Sequence, residues 1–355
     1  MKIKELQKEL VKKKVDFALF YNLNPDGLDV NLFYFSGYKG IGALVVGQKK
    51  AFLMVPKMEF TKAKESMVKR VYKLDKKRLF DSILEKVNKS KVKKRKIGID
   101  MSVMTLRVKK GFKKSFKKSK LVDVYDICEG LREVKTKEEV KLIKYACKIS
   151  DRILLKCFKN FRKFKYETDV VAFLESETRK EGCSLAFQPI VASGVGGSQA
   201  HYEAKKVKLR KGFCVIDFGV RYNGYCSDTT RTIYLGKPSA GEEMMYDLLL
   251  SVQKKAISEV RIGRKVSTIV QIVNKGLGKY SKYFTHGLGH GVGVKLHELP
   301  NVLEKSKGKF QKGNIFTIEP GVYFPGKYGI RIEDDIYLGK KVEVLTRVTK
   351  DLIIV

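Results

Sequence analysis

Residues 214–235 read CVIDFGVRYNGYCSDTTRTIYL, and the fold of the second half of the chain turns on how this stretch pairs with itself. Two β-prone runs flank Asn223-Gly224, a dipeptide that suits a two-residue hairpin loop because both residues tolerate positive φ. With those two as the loop, opposing positions sum to 447, so Asp228 faces Gly219 and Asp217 lies two residues away on the same strand face. Diagonal neighbours on one face of an antiparallel ladder are roughly 7–8 Å apart at the backbone, close enough for their side chains to converge. Two converging carboxylates repel and raise one another's pKa unless a cation sits between them. Taken singly, either aspartate is also readable as an ordinary turn-flanking residue.

Two further acids sit in apolar strand-like runs. NIFTIEPGVYF (314–324) carries Glu319 against Pro320, and GIRIEDDIYL (329–338) puts Glu333 on a strand with Arg331 on the same face. Charge inside such runs is costly unless it is paired or bound to metal; an Arg331–Glu333 salt bridge is the alternative to a metal. Three of the four histidines fall in HGLGHGVGVKLHELP (286–300). Clustering in a histidine-poor chain points to imidazole chemistry, as ligand, proton shuttle or anion-stabilising donor. Four carboxylates with one or two imidazoles suit two divalent cations about 3.5–4 Å apart, which activate water and polarise a carbonyl. Hard oxygen donors without thiolate favour Mn²⁺, with Co²⁺, Fe²⁺ or Zn²⁺ as alternatives.

Composition frames these motifs. The 355 residues suit two domains, and 43% hydrophobic residues suffice for two cores. No apolar run reaches membrane-spanning length, and the N-terminal MKIKELQKELVKKKVDFALF lacks the form of a signal peptide. The six cysteines, at 128, 147, 157, 183, 214 and 226, show no CxxC pairing and read as reduced core thiols. A cytoplasmic location is expected. The net charge of +36 raises the question of nucleic acid. Residues 1–125 hold 33 basic and 12 acidic residues, more than half of the excess. Its densest part, LRVKKGFKKSFKKSKL, spaces Val108, Phe112 and Phe116 four apart, so it reads as an amphipathic helix with a solvated lysine face. Nucleic acid is therefore not expected as a partner despite the charge.

The fold class expected is mixed α/β (α+β). Residues 1–125 form one α/β domain: a helix near 3–14, strands at FALFYN (17–22), LFYFSG (32–37), ALVVG (43–47) and AFLMV (51–55), a helix over 77–90 and a strand at KIGID (96–100). Thr136 and Glu139 have capping-box spacing and open a long helix with Val140, Ile143, Ala146 and Cys147 on one face. From about 126 to 355, helices alternate with glycine-punctuated strands in a second domain.

The ordered blocks DFG…NGYCSDTTRT, HGLGHGVGVKLHELP, TIEPGVYFP and GIRIEDD resemble the pita-bread metallopeptidases of the creatinase, prolidase and aminopeptidase P group, and the resemblance covers nearly the whole chain. It implies a creatinase-type N-terminal domain over 1–125 and a pita-bread catalytic domain over 126–355. It further implies five ligands to two metals, Asp217, Asp228, His290, Glu319 and Glu333, with Asp228 and Glu333 bridging. Glu319 would shuttle a proton, while His201, after the loop PIVASGVGGSQAH, and His297 would stabilise the developing oxyanion. His286 and Arg331 would contact substrate. The implied reaction is hydrolysis of the N-terminal Xaa-Pro bond of a small peptide by a homodimeric Xaa-Pro dipeptidase. Aminopeptidase P activity on longer Xaa-Pro-Xaa peptides and a non-catalytic pita-bread binding protein are the alternatives. Two departures bear on this: no proline follows His201 in HYEAKKVK, and Asn301 stands where relatives often carry a basic residue. The intact ligand set argues for a peptidase, and the N-terminal domain argues against a methionine aminopeptidase.

Overall fold

A strand buried on both faces sits near the centre of the first sheet. Phe17–Asn22 is buried along its whole length, as a central strand covered by helices must be. The computed structural model describes residues 2–24, 27–74, 78–90 and 93–355, and the chain divides into two units, Met1–Leu131 and Arg132–Val355. In the first, six strands run in the order Val71–Lys73, Ala51–Val55, Gly42–Gly47, Phe17–Asn22, Lys96–Ile99 and Lys120–Asp123. Phe17–Asn22 pairs antiparallel with Gly42–Gly47 and parallel with Lys96–Ile99. The lysine-rich segment is the helix Leu106–Ser115, capped by Thr105, with Phe112 fully buried and its ring stacked 4.6 Å from Phe116.

One expected strand is a helix. LFYFSG lies in Val30–Ser36, where Asp29 caps the N-terminus by accepting from the Leu32 N–H and Gly37, at φ 71°, ends it in the left-handed conformation. An uninterrupted apolar run does not separate a buried helix from a buried strand, so the flanking caps decide.

The second unit opens with the helix Lys137–Asn160, whose capping box joins Thr136 and Glu139 and whose inner face buries Val140, Ile143, Ala146 and Cys147. Strands Ile190–Ser193, Gly212–Phe218 and Thr229–Leu235 form one antiparallel sheet. Gly289–Gly291, Glu298–Val302, Ile315–Ile318, Asp334–Leu338 and Val342–Val344 form another, and Gly321–Phe324 with Tyr328–Arg331 a hairpin. Helices Ala240–Ser258 and Val266–Leu277 pack Tyr246, Leu249, Ile269 and Val273 against Phe316, Ile318, Ile330 and Ile336. This core holds the strands from which the polar cluster below projects. Asn223 and Gly224 turn the hairpin at φ 47° and 91°, and Thr230 faces Asp217 in the expected register. All six cysteines are free and buried. Among the described residues no helix is long and apolar enough to cross a membrane.

Candidate functional site

Asp217 lies on the strand Gly212–Phe218, and Asp228 immediately precedes the strand Thr229–Leu235 that pairs with it. His290 is the middle residue of Gly289–Gly291, and Glu319 directly follows Ile315–Ile318. The glycines beside His290 are dictated by space. A Cβ on Gly289 would lie 2.1 Å from the Thr317 carbonyl oxygen, and one on Gly291 2.1 Å from that of Leu299. Both neighbours are backbone and cannot swing aside.

Glu333 corrects the sequence reading in one respect. It is not within a strand: Tyr328–Arg331 ends and Asp334–Leu338 begins on either side of Ile332 and Glu333. The break frees the Glu333 N–H to donate to the Thr230 carbonyl at 3.1 Å, while the Thr230 hydroxyl donates to the Glu333 carboxylate at 2.6 Å. Thr230 thereby ties the strand after Asp228 to the segment that carries Glu333.

The result is a dense polar cluster in a buried place. Donor atoms of Asp228, His290 and Glu333 lie within 4.8 Å of one another. His290 Nε2 is 3.5 Å from Asp228 Oδ2 and 3.5 Å from Glu319 Oε1. Its Nδ1 donates to the Gly291 carbonyl at 3.2 Å, which leaves the Nε2 lone pair facing the carboxylates. Asp228 is 4% exposed and Glu333 1%. Burial, reinforced by Glu333 and Asp217, drives the Asp228 carboxyl well above the usual range. Burial, with Glu319 and Asp217 adding to it and Arg331 offsetting part, does the same to Glu333. Glu319 is also raised by burial, against the pull of His286 and Arg331. Burial lowers His286 and His290 and, with His290 and His201 adding to it, brings His297 down to about 4. These imidazoles are neutral at pH 7, the form that ligates metal.

Such a cluster has one unmet need. Four carboxylates converge, and Asp217 Oδ1 is buried without a hydrogen-bond partner, while its Oδ2 accepts from Arg331 Nη2 at 2.7 Å. A free buried carboxylate oxygen among mutually repelling carboxylates and one aligned imidazole fits divalent metal ions.

The nine residues singled out from sequence, His201, Asp217, Asp228, His286, His290, His297, Glu319, Arg331 and Glu333, all line one cavity of about 470 Å³. Phe187, Ile190, Leu296 and Leu303 supply apolar wall. The rings of His290 and His297 stand edge to face, 4.1 Å between centroids. His286 Nδ1 donates to the Gly287 carbonyl, so its Nε2 accepts from the Tyr323 hydroxyl at 2.8 Å. Arg331 is 3% exposed, and besides Asp217 its guanidinium donates to the Tyr323 hydroxyl, the Thr230 hydroxyl and the Ala200 carbonyl.

Tyr323, Thr230 and Asp335 were not singled out from sequence. Asp335 accepts from the Asp228 N–H at 2.9 Å and from the Cys147 thiol at 3.3 Å. Strand alternation alone gives Thr230 away, two residues after Asp228. Nothing local marks Tyr323 or Asp335.

Residues 141–340 match Metallopeptidase family M24, and residues 2–134 match the Creatinase/Prolidase N-terminal domain. A relative from Pyrococcus furiosus, described as an Xaa-Pro dipeptidase, is 32% identical over 91% of this chain and 93% of its own. The crystal structure of an X-Pro aminopeptidase from Thermotoga maritima superposes with a TM-score of 0.91 at 28% identity, covering 99% of this chain and all of that one. The prolidase from Pyrococcus horikoshii superposes with a TM-score of 0.89 at 30% identity, covering 99% of each chain.

Proposed function

Because this chain belongs to metallopeptidase family M24, we propose that it is a divalent-metal Xaa-Pro dipeptidase, a hydrolase that releases proline from Xaa-Pro. The observation that carries this reading is the convergence of Asp228, His290 and Glu333 in a cavity that Asp217 and Glu319 also line. Those five residues would hold two divalent cations. Bound divalent ions there supply Lewis-acid polarisation of a carbonyl and a water of lowered pKa. The donor set, hard oxygens with one imidazole, favours Mn²⁺.

The chain's own groups supply the rest. Glu319, whose carboxyl is raised by burial and accepts from the Thr317 hydroxyl at 3.0 Å, takes a proton from the attacking water and returns it to the leaving nitrogen. His201 and His297 donate to the oxygen that gains charge; His297, neutral down to about pH 4, does so as an uncharged donor. His286 is fixed through Tyr323. Arg331 serves substrate binding by fixing Asp217, Tyr323 and the Ala200 carbonyl next to His201. The apolar wall of Phe187, Ile190, Leu296 and Leu303 receives the proline ring and the first side chain.

On the same reading, residues 126–355 form the catalytic domain and residues 1–125 the creatinase-type N-terminal domain. The family resemblance further implies a homodimer, and the six buried free thiols suit the cytoplasm. The test is a substrate panel on metal-reloaded protein: Met-Pro, Ala-Pro and a longer Xaa-Pro-Xaa peptide. Proline release from the dipeptides is expected. Cleavage confined to the longer peptide would move the assignment to aminopeptidase P.

A further inference from the structure

Glu298 follows His297 directly in sequence, yet its carboxylate is buried beneath the loop rather than turned to the cavity, with a side chain 1% exposed. Two cations meet it there. Lys135 Nζ donates to Oε2 at 3.1 Å, and the guanidinium of Arg132 stands 3.2 Å from Oε1 as an ion pair. Their side chains are 1% and 2% exposed. The Lys295 N–H donates to the same Oε1 at 3.0 Å, which closes the loop 292–297 onto the carboxylate. A Cβ on Gly293 would lie 2.2 Å from Oε2, so glycine at 293 is what lets the carboxylate approach the loop backbone.

Both cations come from a short segment that is itself pinned. The Lys135 N–H donates to the Gly313 carbonyl at 2.9 Å, the Asn314 side chain donates to the Glu133 carbonyl at 3.2 Å, and Thr136 caps the helix Lys137–Asn160. Residue 298 also sits opposite Gly291 in the ladder between Gly289–Gly291 and Glu298–Val302. The loop 292–297 thus starts two residues past His290, whose neighbour Gly291 is paired to Glu298, and ends on His297, with Glu298 as the hub for both ends.

Burying two cations against one carboxylate is a poor way to gain stability, because well-packed apolar residues of the same volume do as well or better. What such a cluster does provide is one defined geometry. We propose that Glu298, held by Arg132 and Lys135, is the positioning residue for His297, fixing its imidazole against that of His290, 4.1 Å away between ring centroids. This rests on the reading of His297 as a donor to the reacting carbonyl; the placement of the ring does not.

The chain has only four histidines, so each gives an assignable Cε1–H resonance in zinc-reloaded, histidine-labelled protein. Glu298→Gln keeps the volume and the acceptor for Lys295 but removes the charge. It is expected to move the His297 resonance while leaving those of His201 and His286 in place. Its kcat on Met-Pro is expected to fall about tenfold with KM nearly unchanged, in line with the cost of slightly misplacing a group next to the chemistry. A folded Glu298→Gln protein with an unmoved His297 resonance, or with kcat unchanged, would overturn the proposal. If Glu298→Gln does not fold, Lys135→Met, which leaves Arg132 on the carboxylate, decides by the same two readouts. If wild-type protein hydrolyses no Xaa-Pro peptide, the resonance alone decides: a His297 signal moved by Glu298→Gln would uphold the positioning role and reject the assigned activity.

Discussion

Arg331 Nη2 lies 2.7 Å from Asp217 Oδ2, so one oxygen of this aspartate is bound to a fixed guanidinium and the other is left bare inside the cavity. Asp217 lines the same cavity as Asp228 and Glu333. Arg331→Met removes a cation, which by itself would favour a bound cation, but it also frees Asp217 to rotate and unhooks Tyr323 and Thr230. Loss of an outer partner of a ligand ordinarily costs about 10–100-fold in metal affinity. We expect a loss within that range, read by competition with a fluorescent chelator; unchanged or tighter binding would contradict the arrangement.

The pH dependence of the metal-stripped protein follows from groups that shift in opposite directions. His297 falls from an ordinary 6.5 to about 4, so its contribution to stability rises as pH climbs between those values and is complete above about 6.5. Burial lifts Asp335 from 3.8 to about 7, and Asp228 and Glu333 lie well above their ordinary values. A carboxyl raised in the folded state loses stability as pH rises from its unfolded to its folded pKa. Above about pH 6.5 only the carboxyl effect remains, so chelator-treated protein is expected to lose thermal stability toward about pH 8, and metal-reloaded protein to lose less. Melting temperatures across that range check it; a rise in the stripped protein would contradict it.

Arg231 is 1% exposed, and its guanidinium reaches Asp334 Oδ1 at 2.7 Å together with the carbonyls of Thr230, Glu333 and Val348. It ties the backbone of Glu333, one of the acids that line the cavity, to that of Thr230. Arg231→Met leaves Asp334, 0% exposed, with Lys350 as its remaining charged partner. Breaking a buried pair this way costs about 3–5 kcal/mol, and Lys350 keeps the expected value near the lower end. Urea unfolding of metal-stripped protein measures it.

Gly291→Ala would press a Cβ against the Leu299 carbonyl. Since the obstacle is backbone, the strand holding His290 must shift, at an expected cost of about 1–3 kcal/mol. The companion readout is metal content, which should fall; retention of both stability and metal would show that the close approach is not needed.

The hairpin was legible because Asn223-Gly224 fixes its own register, which sets Thr230 opposite Asp217, two residues past Asp228. The long helix was legible because Thr136 and Glu139 cap it locally. LFYFSG was misread because its apolar residues fit either period and only Asp29 and Gly37 separate them. The strand break at Glu333 was hidden for a different reason: its partner there, Thr230, lies 103 residues away in sequence. Arg231, Asp335 and the Arg132–Glu298–Lys135 cluster share that cause, since each is an ordinary charged residue until a distant segment buries it.

The most direct test of the metal-centre account is proline release from Met-Pro by metal-stripped protein, before and after reloading with Mn²⁺, Co²⁺ or Zn²⁺, beside Asp228→Asn treated identically. The account predicts no turnover without metal, turnover restored by at least one divalent ion, and none from Asp228→Asn with any of them. Turnover by Asp228→Asn at the wild-type rate, or none from reloaded wild-type protein, would contradict it.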